Sequence, residues 1–460
     1  MFRNLFIACC LVFLIGQGCK QDRFTPNANI DLRFETDTLW FDTVFTSVGS
    51  ITKRFKVFNP TNRNILLDEV YLGGRRNGGL SAFRININGI PSNDLKGVEL
   101  RANDSIYIFV EATIDPNSTL TPFIVSDSVV FRSGNRTGQV QLAAFGQNAF
   151  FIGNEVVSCD TTWTDVIPIV VYRSILVDSL CRLNIQPGTR IFFAKNATLF
   201  VLGSLQVHGT PENPVRFRGD RLDPFYRDLA GAWNGIHFLV GSVNNRITGA
   251  EFRNGNVAIR VDSLPVSGTA PNLRLNQVFI DNFAIVGLLG FTAHIEADNT
   301  LISNCGLYNF LGDFGGTYSF RHVTMANYSI GFSRGQPLFA LSSRDLNGQA
   351  NPTTLRLNNS IIWGTRQEEF LLDSSGSAPL HAFLSHNIIR TPRTQLPGNQ
   401  LIFALPNFVS PGEGNFAIDT LSPAFRAGEH LIPQFPQLAT DLDGKIRQNP
   451  PTLGAIERIE

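Results

Sequence analysis

Between Ile30 and about Ala149, apolar and polar positions alternate in short runs such as Lys53-Arg54-Phe55-Lys56-Val57-Phe58-Asn59, Ser105-Ile106-Tyr107-Ile108-Phe109-Val110-Glu111 and Ser128-Val129-Val130-Phe131. Asn59-Pro60-Thr61-Asn62, Gly73-Gly74, Asp115-Pro116-Asn117 and Ser133-Gly134-Asn135 interrupt them. A period of two sends alternate side chains to opposite faces of a pleated strand, and Gly, Pro, Asn and Asp supply the turns. The stretch therefore predicts short strands, each with one buried face. From Ile169 onward the pattern becomes a repeat. Ala250-Glu251-Phe252-Arg253-Asn254, Val278-Phe279-Ile280-Asp281-Asn282, Thr300-Leu301-Ile302-Ser303-Asn304 and Val323-Thr324-Met325-Ala326-Asn327 align, and Val257, Ile285, Leu307 and Ile330 follow three residues after each Asn. The Asn residues are spaced by 28, 22 and 23. Such periods predict a solenoid in which each rung buries its apolar face only against the next. Leu355 to Trp363 and Ala382 to Ile389 read as later rungs.

Composition agrees with strands. Phe contributes 38 residues and Met 2, alongside 40 Gly and 24 Pro. Stacked Phe at equivalent inward positions would form the solenoid core. Lys+Arg and Asp+Glu both number 38, so the formal net charge is zero. That balance gives no footprint for nucleic acid, and 17% charged residues are too few for a disordered chain.

The regular strand–turn spacing up to residue 150 reads as an immunoglobulin-like β-sandwich. The order of Val57-Phe58-Asn59, Ala82-Phe83-Arg84-Ile85, Asn103-Asp104-Ser105-Ile106, an Asp-Pro and Leu142-Ala143-Ala144-Phe145-Gly146 resembles the HYDIN-like family of such domains. Further on, Leu183 to Phe193 carries a Pro-Gly turn, Leu199 to Thr210 a Gly-closed strand, and Asn213-Pro214-Val215-Arg216-Phe217 and Trp233-Asn234-Gly235-Ile236 follow. This succession resembles the opening rungs of right-handed parallel β-helices of the pectin-lyase-like type. Leu421-Ser422-Pro423-Ala424-Phe425-Arg426, Asp441-Leu442-Asp443-Gly444 and Leu453-Gly454-Ala455-Ile456 are similar to the C-terminal motif of choice-of-anchor Q proteins, with Phe425 and Arg426 departing from its usual Ile-Asp. The fold expected is all-β: a sandwich over 30–150, then a parallel β-helix over 155–460 whose segment from about 405 closes the last rung.

Arg3 followed by the eleven-residue apolar stretch Leu5 to Ile15 has the form of a signal peptide, too short to span a bilayer. Gly16-Gln17-Gly18-Cys19 after it resembles a bacterial lipobox, which implies removal of residues 1–18, lipidation of Cys19, and a lipid-proximal linker over 19–29. The implied address is the outer membrane, lipid-anchored and facing the cell surface. Lys20-Gln21-Asp22 is similar to the surface-export signal of Bacteroidetes lipoproteins. With Cys9 and Cys10 in the signal, Cys159, Cys181 and Cys305 remain. Cys159 and Cys181 stand 22 residues apart, about one rung, so they can either stack and bridge or stay as buried thiols.

Chemistry is sparse. In the hydrolase branch of the resembled fold, the catalytic groups come from Asn-x-Asp, Asp-Asp and Gly-His-Gly strings, and the repeats carry none of them. Asp281, Asp298, Arg321 and His322 read as scattered, solvated residues. No catalytic set, metal-ligand spacing or cofactor motif emerges. Phe225, Tyr226, Arg227 and Asp228, in the insertion from Gly219 to Gly231, form the candidate binding loop, because aromatic and charged groups on a rigid scaffold suit sugars. Asn254, Asn282, Asn304 and Asn327 are structural candidates: a short amide tolerates left-handed backbone at a sharp turn and can bond its counterpart one rung away. The function expected is non-enzymatic, a β-helix presented for carbohydrate binding, adhesion or envelope architecture. The alternative is a polysaccharide lyase or glycoside hydrolase.

Overall fold

The computed structural model describes residues 23–459 apart from 77, 224, 225, 227, 264–269, 329, 330 and 394. Cys19 and the signal segment, with Phe225 and Arg227, lie outside the described residues. Two compact units divide at Asn148 and Ala149.

In the first unit, two five-stranded sheets enclose one core. One runs in the order Arg33–Phe34, Lys53–Phe58, Ser105–Ala112, Phe83–Ile87, Ile90–Pro91, and is antiparallel throughout. The other runs Thr38–Phe45, Arg136–Gln147, Phe123–Ser133, Ile65–Leu72, Asp94–Leu100, and its first pair is parallel. Phe41 and Phe131 from one sheet meet Phe55 and Phe83 from the other in the core. Asn59 is buried at the strand end because its Nδ2 donates to the carbonyls of Arg63 (2.7 Å) and Arg101 (2.9 Å) and its Oδ1 accepts from Thr61 N. Its amide satisfies a turn that would otherwise leave those backbone groups unpaired.

Every strand pairing in the two large sheets of the second unit is parallel. A 17-stranded sheet begins at Phe150–Ile152, and a nine-stranded sheet begins at Val156–Val157. A typical turn of chain contributes two strands to the first and one to the second, as with His294–Asp298, Leu301–Ser303 and Tyr308–Asp313. Each strand pairs with its counterpart one turn later, as in a β-helix. Registered positions then stack at the inter-strand spacing of about 4.8 Å. Phe217 pairs with Phe252 and their rings stack at 4.5 Å, while Phe310, Phe339 and Phe370 follow one another at 4.8 Å. The abundance of Phe is thereby explained. Cys159 and Cys181 form a disulfide, and Cys305 is a buried free thiol.

The C-terminal segment follows a different course from the expected end cap. Instead of closing the last rung, residues 407–457 run along the flank of the 17-stranded sheet. Phe416, Leu442, Ala455 and Ile456 pack on Phe279, Leu301 and Ala326, while Ile418, Ala424 and Leu453 pack on Ile361, Trp363 and Ile388. The physical reason is in the strands: Phe279, Leu301, Ile361 and Ile388 stand at outward positions of one registered row and need a cover. An ion pair, Arg447 Nη1 to Glu457 Oε2 at 3.1 Å with both side chains fully buried, holds this strap together. Asp441 accepts from the backbone N–H of Asp443, Lys445 and Glu457, so its carboxylate organises a turn.

Candidate functional site

Strand alternation builds a polar face on the 17-stranded sheet. In Leu273–Asp281, Leu273 and Leu275 point into the core and leave Arg274 and Asn276 outside. Register then aligns Arg246, Arg274, Glu296, Ser319, Arg356 and Phe383 in one row, and Asn276, Asp298, Arg321, Asn358 and Ser385 in the next. Arg246, Arg274, Arg356 and Phe383 are exposed. The Arg356 guanidinium lies 5.3 Å from the Phe383 ring centroid.

Glu296 is the centre of this face. Its carboxylate lies 3.6 Å from Arg274 Nε, 3.4 Å from Arg321 Nη2 and 3.9 Å from His294 Nε2. Arg321 donates from Nε and Nη2 to Asp298 at 2.6 and 3.1 Å. Burial opposes the Arg321 charge, yet the bonds to Asp298 and Glu296 outweigh it and raise the pKa. Burial pushes the His294 pKa down, and Arg274 and Arg356 push the same way against Glu296. The strap reaches this face too: the Phe435 ring lies 4.1 Å from the Arg321 guanidinium, and Gln437 Nε2 donates to Asp298 Oδ2 at 2.8 Å. Asp298 and Arg321 are thus a buried pair joined by direct register, a correction to their reading as scattered, solvated charges. His322 is also buried, on the flank beneath the strap. The signal for the row was present in the sequence, since Leu273-Arg274-Leu275-Asn276 and Leu355-Arg356-Leu357-Asn358 are the same string at the same register.

Of the candidate loop, Tyr226 and Asp228 are described. The Arg221 guanidinium stands 5.9 Å from the Tyr226 ring, and the Asp228 carbonyl accepts from Asn282 Nδ2 at 2.9 Å. Asn254, Asn282 and Asn304 have left-handed backbone, with φ of 66°, 61° and 53°, whereas Asn327 ends a strand. The Asn254, Asn282 and Asn304 N–H groups donate to the carbonyls of Asp281, Ser303 and Ala326, which places the four Asn on successive strands. Asn282 Nδ2 donates to Asn254 Oδ1 at 2.8 Å. Asn304 Nδ2 instead reaches the Asp281 carboxylate at 3.0 Å, and Asn327 donates to the Cys305 carbonyl at 2.7 Å. The side chains therefore form local links in place of one continuous ladder.

A second corner escaped sequence reading. Gln277, Asn299, His322, Asn359, His386 and Gln400 each follow a strand position in register and have φ between 46° and 54°. Their side chains differ, so no string repeats. Among the described residues no group of three or more His, Cys, Asp or Glu could hold a metal ion, and no helix is long and apolar enough to cross a membrane.

Comparison with protein families and with curated proteins finds no match. Among solved structures, the chain is similar to a family 123 glycoside hydrolase from Clostridium perfringens, at 10% identity and a TM-score of 0.19 over 25% of this chain and 26% of that one. The chain thus spans about a quarter of that protein's length. It is also similar to the catalytic unit of a GH87 α-1,3-glucanase from Streptomyces thermodiastaticus strain HF3-3, at 10% identity and a TM-score of 0.29 over 75% of this chain and 76% of that one.

Proposed function

We propose that this protein is a lipid-anchored envelope protein of a Bacteroidetes-like bacterium, held at the outer membrane through Cys19 and facing the cell surface. Its larger unit is a right-handed parallel β-helix of the pectin-lyase-like type. Its smaller unit is an immunoglobulin-like spacer. The β-helix binds a glycan, and the row along its polar face makes an acidic glycan the best fit.

The observation that carries this reading is the exposed series Arg246, Arg274 and Arg356 on one registered row, with the half-buried Glu296 and the buried Ser319 between them. Guanidinium groups on rigid parallel strands suit carboxylate recognition because their forked donors match its two oxygens. The wild type should bind polygalacturonate in a salt-sensitive manner and ignore dextran. Arg246→Ala/Arg274→Ala/Arg356→Ala should lose the polymer. Equal binding of dextran, or unchanged binding by the triple variant, would discard the reading. Release of unsaturated uronides by the wild type would instead favour the lyase alternative, for which the His294–Glu296–Arg274 contact supplies the groups to change.

Two acyl chains hold a protein on a membrane stably where one does so marginally. Cys19→Ala should therefore move the protein out of the outer-membrane fraction or leave it unprocessed. Unchanged fractionation and mobility would rule the anchor out.

A further inference from the structure

We infer that a second, separate binding site lies in the cleft between the C-terminal strap and the flank of the sheet, and that it takes a neutral sugar. The cleft has a volume of about 460 Å³, inside the range of roughly 300–1,000 Å³ typical of small-molecule sites. Phe279 and Phe416 contribute to its apolar lining, and Glu251, Arg253, Glu413 and Asn415 to its polar lining.

The electrostatics select the ligand. Glu251 lies 3.3 Å from Arg216 and 3.6 Å from Arg218, and it also pairs with Arg253. Burial works against the Glu251 charge, but the three guanidinium groups overcome it and carry the pKa below the usual carboxylate value. Arg253 in turn stands 3.4 Å from Asp281 and 4.8 Å from the Phe279 ring centroid. Asp443, also in the lining, pairs with Lys445 at 3.3 Å. The Glu251, Arg253 and Asp443 charges are matched within the protein and Glu413 sits at the exposed rim, so the interior of the cleft offers donors and acceptors with little uncompensated field. That suits hydroxyl groups better than an ion. Pro211, Pro214 and the half-buried Phe279 give the lining an apolar part suited to the C–H side of a pyranose ring, an apolar body with polar edges. The polar row on the other face, with its exposed Arg246 and Arg356, has the opposite character, and the two sites stand or fall separately.

The test uses the full chain and saturation-transfer NMR with D-glucose, D-galactose, D-mannose and N-acetyl-D-glucosamine, each offered alone. At least one should receive saturation from the wild type. Glu413→Ala/Asn415→Ala changes two exposed rim residues and should leave thermal melting unchanged while weakening that sugar about tenfold, as expected when ligand hydroxyls lose one or two hydrogen bonds of ordinary net strength. Arg246→Ala/Arg274→Ala should leave the sugar signal intact. Absence of transfer to all four sugars would overturn the site. So would transfer undiminished in the rim variant, because the sugar would then be bound elsewhere.

Discussion

Two corners of the same solenoid hold left-handed residues on rung after rung, yet they are built on different terms. At the first, Asn254, Asn282 and Asn304 share one side-chain chemistry and bond their neighbours: Asn282 to Asn254, Asn304 to Asp281. At the second, Gln277, Asn299, His322 and Asn359 share a backbone conformation while their side-chain types vary. Three of these side chains reach outward to the C-terminal strap. Gln277 Nε2 donates to the Asp441 carbonyl, Asn299 Nδ2 to the Gln437 carbonyl, and Asn359 Nδ2 to the Glu429 carbonyl. A left-handed corner tolerates several polar residues at modest cost. What the side chain must then bond decides which of them is used. Both corners bond from rung to rung, and the second also holds a separate segment against them.

The difference breaks most visibly at the strap. Arg447 donates to Asn299 Oδ1 at 2.8 Å as well as to Glu457, and burial drives its pKa down to about 10 despite Glu457 and Asp441. Removing one partner leaves a buried charge without its counter-ion, a loss of about 3–5 kcal/mol. Glu457→Gln should therefore lower the urea midpoint more than any change at the first corner. Arg447→Met/Glu457→Leu, which removes both charges, should recover part of the loss. If the single and double variants were equally destabilised, packing and the bonds that Thr452 N and Oγ1 donate to the Glu457 carboxylate would matter more than charge.

Side-chain truncation at the two corners sharpens the comparison. Asn359 is fully buried and makes a two-way bond with the strap, Nδ2 to the Glu429 carbonyl at 2.8 Å and Oδ1 from Glu429 N at 2.9 Å. Asn359→Ala should cost about 1–3 kcal/mol, since it strips partners from buried backbone groups. Asn282→Ala, at a half-buried position, should cost about 1 kcal/mol or less. Gly at either site removes the amide but keeps the left-handed backbone comfortable, so the Ala–Gly difference isolates strain from bonding. Equal losses for Asn359→Ala and Asn282→Ala in thermal melting would remove the distinction drawn between the corners.

The first corner was legible because its chemistry repeats: Asn254, Asn282, Asn304 and Asn327 recur in similar apolar settings. The second was illegible because Gln, Asn and His all satisfy the same φ, and a conformation leaves no fixed letter. The polar row was half legible. Its Leu-Arg-Leu-Asn string occurs at 273–276 and 355–358, but only register reveals that Glu296 and Ser319 fill the rungs between. The strap's position was hidden for a different reason. Phe279 and Leu301 occupy alternating outward positions, and an outward apolar residue in a solenoid strand announces a cover without saying which segment supplies it.

The smallest effect concerns His322, a buried second-corner residue whose charge can change. It is fully buried, with Nε2 2.9 Å from Asn359 Nδ2. Burial holds its pKa well below the ordinary imidazole value, and Arg447 adds to the shift. The folded state thus refuses a proton that the unfolded chain accepts below about pH 6.5. A depressed folded pKa gives stability that is present above the unfolded value and lost as pH falls. Between pH 7 and pH 6 this single group should remove about 0.7 kcal/mol. Gln occupies the same corner on other rungs, at Gln277 and Gln400, so His322→Gln keeps a polar side chain the position accepts. The urea midpoint of the variant should change less than the wild type's across that interval, by the contribution of one proton. Parallel pH profiles for the two proteins would mean that His322 takes up its proton in the folded state as readily as in the unfolded one, and that the strap tolerates a second cation beside Arg447.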